Sequence, residues 1–164
     1  MKKETYKKVM NFWERHAKLL FAAKMIHHLS VIGVYFVFPS FLLYTALKQD
    51  TFFITAFSVC LISFILLSLY RKKHNAKRPS EVYNIPSAIE KGKEGKSFPS
   101  RHSFSAAIIS VCLFHLSVPL GLAFLLVTLI IATLRVVLGL HFVKDVAVGI
   151  LIGVLCGVAA LIIG

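Results

Sequence analysis

At 164 residues the chain has the length of one domain, and a composition 57% hydrophobic with a mean hydropathy of +0.78 excludes an ordinary soluble one. The formal net charge of +12 is spread between apolar runs, which argues against nucleic acid and for anionic headgroups or an anionic substrate. Cys60, Cys112 and Cys156 lie in apolar runs without CxxC spacing, so they read as small core residues, with no disulfide and no metal site.

Residues 2–24 read as an amphipathic helix. Tyr6, Val9, Met10, Trp13, Ala17 and Leu20 share one face, and Lys7, Lys8, Asn11, Glu14, Arg15 and Lys18 the other. Such a helix is expected to lie in the membrane interface, or to serve as a charged leader for the first span. It has no apolar h-region, so no cleavable signal peptide is expected. Met25–Leu47 is a first spanning run, with a kink expected at Pro39. His27 and His28 at its start are given no role. After the polar turn Lys48-Gln49-Asp50, a second span runs over Thr51–Tyr70 and returns the chain to the side of its N-terminus.

Residues 71–103 form the one long polar segment, an expected active-site loop. Its Gly/Lys/Glu-rich part, Ile89–Lys96, is expected to be mobile. A short span follows over 104–117, then a turn at Ser117–Gly121, a span over 120–138 and a last one over 141–163. The last carries Gly149, Gly153 and Gly157, a ridge suited to close helix packing within the bundle. His115, near the turn, is expected to be a hydrogen-bonded interfacial histidine. The fold class is therefore all-α. It is a polytopic membrane helix bundle of about five transmembrane helices, with the interfacial helix as residues 1–24 and the membrane-embedded domain as residues 25–164.

Counting spans brings three basic clusters to one membrane face. They are Arg71 with Arg78-Pro79, then Pro99-Ser100-Arg101-His102, then Arg135 with His141 and Asp145. Ionisable groups inside apolar segments are costly and default to a functional reading. If a helix starts near His141, then His141 and Asp145 stand at i and i+4 on one face. A carboxylate there takes the proton of one imidazole nitrogen and leaves the other free to attack. The same three groups would also serve as a structural ion triad between two helices.

The chemistry that suits such a pocket is phosphoryl transfer. Guanidinium forks hold phosphate oxygens and neutralise charge that moves in the transition state. Ser100 and the amides at the following helix start add donors. His141 can form a phosphohistidine, and His102 can protonate the leaving oxygen. No carboxylate cluster is present to hold divalent metal, so no cofactor is expected.

The arrangement resembles the type 2 phosphatidic acid phosphatase superfamily, the lipid phosphate phosphatases related to vanadium haloperoxidases. Its signature is a Lys, six residues, Arg-Pro; then Pro-Ser-Gly-His; then Ser-Arg, five residues, His, three residues, Asp. Arg78-Pro79, Pro99-Ser100, His102, Arg135, His141 and Asp145 match in order and spacing over roughly residues 25–163. Arg71 stands at the lysine position, with Lys72 one residue away. Arg101 replaces the glycine, and Leu134 replaces the serine, with Thr133 nearby. The family commonly has six spans, and the N-terminal helix stands here where the first would be.

The resemblance implies a metal-independent phosphatase of a membrane lipid: phosphatidic acid, phosphatidylglycerol phosphate or a polyprenyl pyrophosphate. Catalysis would fall to His141, His102 and Asp145, and phosphate binding to Arg71, Lys72, Arg78, Ser100, Arg101 and Arg135. The alternative is a non-catalytic anionic-lipid binder or transporter using the same pocket. The lipid substrate and the bilayer are the expected partners, and the oligomeric state is left open. Lys2, Lys3, Lys7, Lys8, Arg15, Lys18 and Lys24 on the pocket side, against Lys48 opposite, predict a multi-pass cell-membrane protein whose pocket faces the cytoplasm.

Overall fold

In hydrocarbon every backbone donor and acceptor has to be bonded within the chain, so long apolar runs become helices. The computed structural model describes residues 1–89 and 95–164. The mobility expected of Ile89–Lys96 falls largely on residues outside that set. The helices are α1 (Lys3–Arg15), α2 (Ala17–Leu47), α3 (Phe52–His74), α4 (Pro79–Tyr83), α5 (Arg101–Cys112), α6 (Val118–Val137) and α7 (Val143–Ile163). Among the described residues α2, α3, α6 and α7 are long and apolar enough to cross a membrane. Their outward faces expose Phe36, Leu66, Leu126 and Leu155, as hydrocarbon-facing surfaces should.

The fifth expected span is a different kind of element. α5 has 12 residues, followed by a 3₁₀ turn at Leu113–His115. Twelve residues rise about 18 Å, short of the ~30 Å hydrocarbon core. By sequence, residues 104–117 read as a short span, at the low end of what can cross. In the structure α5 is wrapped by its neighbours, with Ser103 through Cys112 buried except Ser105. Its polar side chains find partners there: the Ser110 hydroxyl bonds Ala106 O at 2.7 Å and meets Thr128 Oγ1 at 2.9 Å.

The glycine ridge of α7 makes this wrapping close. A Cβ on Gly149 would stand 2.6 Å from Ser100 O, one on Gly153 2.5 Å from Phe104 O, and one on Gly157 2.6 Å from Val111 Cβ. The ridge therefore packs inside the bundle, against α5. Cys60 and Cys112 are buried free thiols in the same core, and Cys156 is a half-buried one.

Pro39 lies inside α2, which stays helical through it; Ser40 Oγ donates to Phe36 O at 2.8 Å one turn back. At the far end, Asp50 caps α3 by accepting from Phe52 N at 2.9 Å. The His115 imidazole donates to Asp50 Oδ2 at 2.6 Å and stacks on Phe52 with ring centroids 4.0 Å apart. This contact places the end of α5 beside the α2–α3 turn, and it makes His115 the hydrogen-bonded histidine expected.

The helix expected over residues 2–24 divides at His16, and residues 17–24 belong to α2. Local sequence carries no breaker, and the cause is tertiary. The Trp13 indole N–H bonds Val137 O at 2.7 Å and ties the end of α1 to the end of α6. The chain turns at His16, whose imidazole N–H bonds Phe12 O at 2.8 Å. The apolar face of α1 also has a partner. Tyr6 and Met10 are buried, and the Tyr6 hydroxyl reaches Gly139 O and Ile85 O, each at 3.4 Å. Burial pushes the Tyr6 phenol up to about 12. α1 thus lies across one end of the bundle, over the α6–α7 junction.

Candidate active site

That junction is built to turn sharply. Gly139 takes φ +78°, and a Cβ there would strike the Tyr6 hydroxyl at 2.7 Å, so glycine is required twice over. The carbonyl of Arg135 accepts from both Leu140 N (3.0 Å) and His141 N (3.1 Å). The same residue therefore fixes the His141 backbone and contributes a guanidinium. α7 begins at Val143, two residues later than expected, because Asp145 Oδ2 accepts from Phe142 N at 3.0 Å and makes Phe142 the N-cap. His141 sits in the turn before the helix, buried to 2% exposure, with Asp145 at 1% and Arg135 at 2%.

His141 Nδ1 is 3.6 Å from Asp145 Oδ2, too long for a hydrogen bond. Ser97 occupies the gap. Its hydroxyl donates to Asp145 Oδ2 at 2.5 Å and lies 3.2 Å from His141 Nδ1. With the serine proton on the carboxylate, the serine oxygen accepts from Nδ1–H, and Nε2 keeps its lone pair. Ser97 was not among the sequence candidates. It lies two residues before Pro99 and outside the three motifs, and only the fold brings it to Asp145. Its backbone N–H is held by Ala76 O at 2.8 Å.

Burial pushes the His141 imidazole down to about 4, against the pull of Asp145 and with added repulsion from Arg135 and Arg78. The ring is therefore neutral at physiological pH. A neutral imidazole with Nδ1–H held leaves Nε2 free to act as a nucleophile.

The arginines divide by what they touch. Arg71, not the exposed Lys72, carries its charge inward. Its fork donates to the carbonyls of Ser97, Pro99 and Lys96, so it clamps the loop that carries Ser97 and Ser100. Arg78, at the start of α4, donates to Gly95 O at 3.2 Å and Leu140 O at 3.4 Å, and Glu81 on α4 accepts from Gly95 N at 2.7 Å. Arg135 is unlike both. Among the described residues its Nε and Nη1 are buried without a hydrogen-bond partner, as is Asp145 Oδ1. Unsatisfied buried donors cost about 1–3 kcal/mol each, and more when charged. A bound anion with several acceptor oxygens would satisfy those of Arg135.

Ser100 N bonds Asp145 O at 2.8 Å, which joins the start of α5 to the start of α7. The buried Ser100 hydroxyl accepts from Ser103 Oγ at 3.1 Å. Arg101 and half-buried His102 follow on the first turn of α5. Both line the polar end of an otherwise apolar groove of about 360 Å³ between α2, α3 and α5. Tyr35, Phe57, Leu61 and Phe64 along its wall are exposed on the outer surface, so the groove opens toward lipid. Among the described residues no set of three His, Cys, Asp or Glu side chains is placed to hold a metal ion.

Comparison with solved structures finds the same fold in several chains, among them these two. One is Aquifex aeolicus LpxE, with a TM-score of 0.75 at 24% identity, over 96% of this chain and 93% of that one. The other is a transmembrane PAP2-type phosphatidylglycerolphosphate phosphatase from Bacillus subtilis, with a TM-score of 0.74 at 18% identity, over 98% of this chain and 83% of that one. Sequence comparison with curated proteins gives no match. The profile of the PAP2 superfamily matches residues 70–164, the part of the chain that contains every motif residue above, and the chain belongs to that superfamily.

Proposed function

We propose that the protein is a metal-independent phosphatase of a membrane lipid that works through a phosphohistidine. One observation carries this reading: the Arg135 guanidinium, 2% exposed and with two unpartnered nitrogens, beside an imidazole held neutral with one nitrogen free. A structural ion triad would have paired Arg135 with Asp145. The apolar groove ending at His102 supports a substrate with a hydrocarbon chain.

In the proposed reaction His141 Nε2 attacks phosphorus and the bond to the leaving oxygen breaks. His102 gives that oxygen its proton. Arg135 and Arg78, with the donors at the start of α5, hold the three equatorial oxygens. His102, now a base, takes a proton from water, which cleaves the P–N bond and releases inorganic phosphate. Asp145 and Ser97 hold the ring in one tautomer throughout.

The test is phosphate release by purified protein in mixed micelles across phosphatidic acid, phosphatidylglycerol phosphate and a polyprenyl pyrophosphate, with and without EDTA. We expect turnover of at least one lipid, undiminished by chelator and abolished in His141→Ala. Binding without turnover would favour a lipid binder or transporter.

We further propose that the pocket faces the cytoplasm. α1, with its exposed lysines, is docked on the pocket face through Tyr6 and Trp13, so the basic N-terminus and the site share one side. A lone cysteine from Ser87→Cys, with Cys60, Cys112 and Cys156 replaced, should resist an impermeant maleimide in intact cells and react after permeabilisation. Rapid labelling of intact cells would reverse the topology.

A further inference from the structure

The site contains a cation that the chemistry above leaves unused. Arg101 stands at the first position of α5, where the family signature has glycine. Its guanidinium carbon lies 5.8 Å from the centre of the Phe64 ring on α3. Among the described residues no carboxylate lies within ion-pair distance of it. It repels the guanidinium groups of Arg71 and Arg78, so it borders the arginine cluster from the groove side. The ring holds the cation in place without neutralising it.

Position along the substrate gives this charge its meaning. At one end, Arg135 and His141 receive the reacting phosphoryl group. At the other, the groove receives an apolar chain, and on that reading Arg101, which lines the groove and faces Arg71 and Arg78, forms the junction. The part of a substrate lying at the junction is whatever links the reacting phosphate to the chain. In phosphatidic acid that link is an uncharged glycerol ester. In a lipid diphosphate it is a second phosphoryl group, and in phosphatidylglycerol phosphate it is a phosphodiester.

We propose that Arg101 selects substrates bearing a second anionic phosphoryl group between the scissile phosphate and the apolar chain. This inference rests on the phosphatase reading and narrows its substrate class. An arginine is suited to the task because its fork takes two phosphate oxygens at once.

Two matched pairs test it: a prenyl diphosphate against the prenyl monophosphate of the same chain, and phosphatidylglycerol phosphate against phosphatidic acid of the same acyl composition. The readout is the ratio of kcat/KM within each pair, for the wild type, Arg101→Gly, Arg101→Gln and Arg101→Lys. We expect the wild type to favour the doubly anionic member of at least one pair. Loss of one charge-assisted contact should shrink that ratio about tenfold or more in the Gly and Gln variants, mainly through KM, with Lys retaining more of it. The pair that responds tells a diphosphate from a phosphodiester. No preference in the wild type, or ratios within about twofold of it in Gly and Gln, would overturn the inference. Failure to hydrolyse all four lipids would overturn the phosphatase reading instead.

Discussion

Among the described residues the protein has two histidine–aspartate pairs, one at each end of the same bundle. His115 and Asp50 meet directly at 2.6 Å, each about a third exposed. His141 and Asp145 are both almost fully buried, yet they stand 3.6 Å apart with Ser97 between them. The shorter pair joins two turns. The longer pair lies beside Arg135, whose Nε and Nη1 have no partner among the described residues, and its imidazole is pushed down to about 4. Residue type is the same in both, and surroundings make the difference. At the surface, water shares the charge, and the carboxylate of Asp50 is lowered chiefly by its bond to His115. In the interior, desolvation and nearby arginines hold the ring neutral and leave its second nitrogen for chemistry.

The contrast can be broken most strongly at the carboxylates. Asp145→Asn should lower turnover by about 10³–10⁴-fold, because the amide no longer enforces the tautomer. Asp50→Asn should leave phosphate release within about twofold of wild type. Comparable losses in the two variants would make both pairs structural.

The acid response comes next in size. In the unfolded chain His141 takes up a proton below about 6.5, whereas in the folded chain it does so only near 4. The unfolded state therefore gains protons first, and stability falls as pH drops through that window, by about 3 kcal/mol at the lower end. Thermal unfolding in detergent should show this loss, and His141→Ala should flatten it.

Ser97 tests whether the bridge, rather than mere proximity to a carboxylate, holds the ring. Ser97→Ala should reduce kcat about 10–100-fold with little change in KM and displace the acid limb of the pH–rate profile. Ser97→Thr, which keeps the hydroxyl, should recover much of the loss. An unaltered profile would make Ser97 a packing residue. The smallest effect belongs to His115→Ala, which should leave activity intact and cost less stability than any interior change, since exposed pairs contribute little.

The parts legible in the sequence were those set by local composition. Long apolar runs became α2, α3, α6 and α7, and the glycine ridge of α7 found a helix to pack against. Motif spacing brought Arg135, His141, Asp145 and Ser100 together, since each is fixed by the end of a helix. The parts that were hidden depend on contacts distant in the chain. The division at His16 follows from Trp13 reaching Val137, 124 positions away. Ser97 reaches Asp145 across 48 positions, and no local pattern marks it. Arg71 reads as a phosphate ligand by position, yet its donors are taken by three carbonyls of the loop. α5 looked like a marginal span because hydropathy records apolar length and not which neighbours will enclose it.

The glycine ridge bears on how such a protein can change over generations. α5 and α7 meet with backbone against side-chain-free backbone at Gly149 and Gly153, and Ser100 is tied to Asp145 across the same seam. A substitution at either glycine would press on the carbonyl of Ser100 or of Phe104 and displace the residues of the candidate site. The groove wall on α2 and α3 has no such seam, and Val31, Tyr35, Phe57 and Leu61 can be exchanged for larger or smaller side chains at the lipid boundary. On the proposed reading, new chain-length preferences are open to this fold through α2 and α3, while the α5–α7 seam stays fixed and holds the candidate site constant.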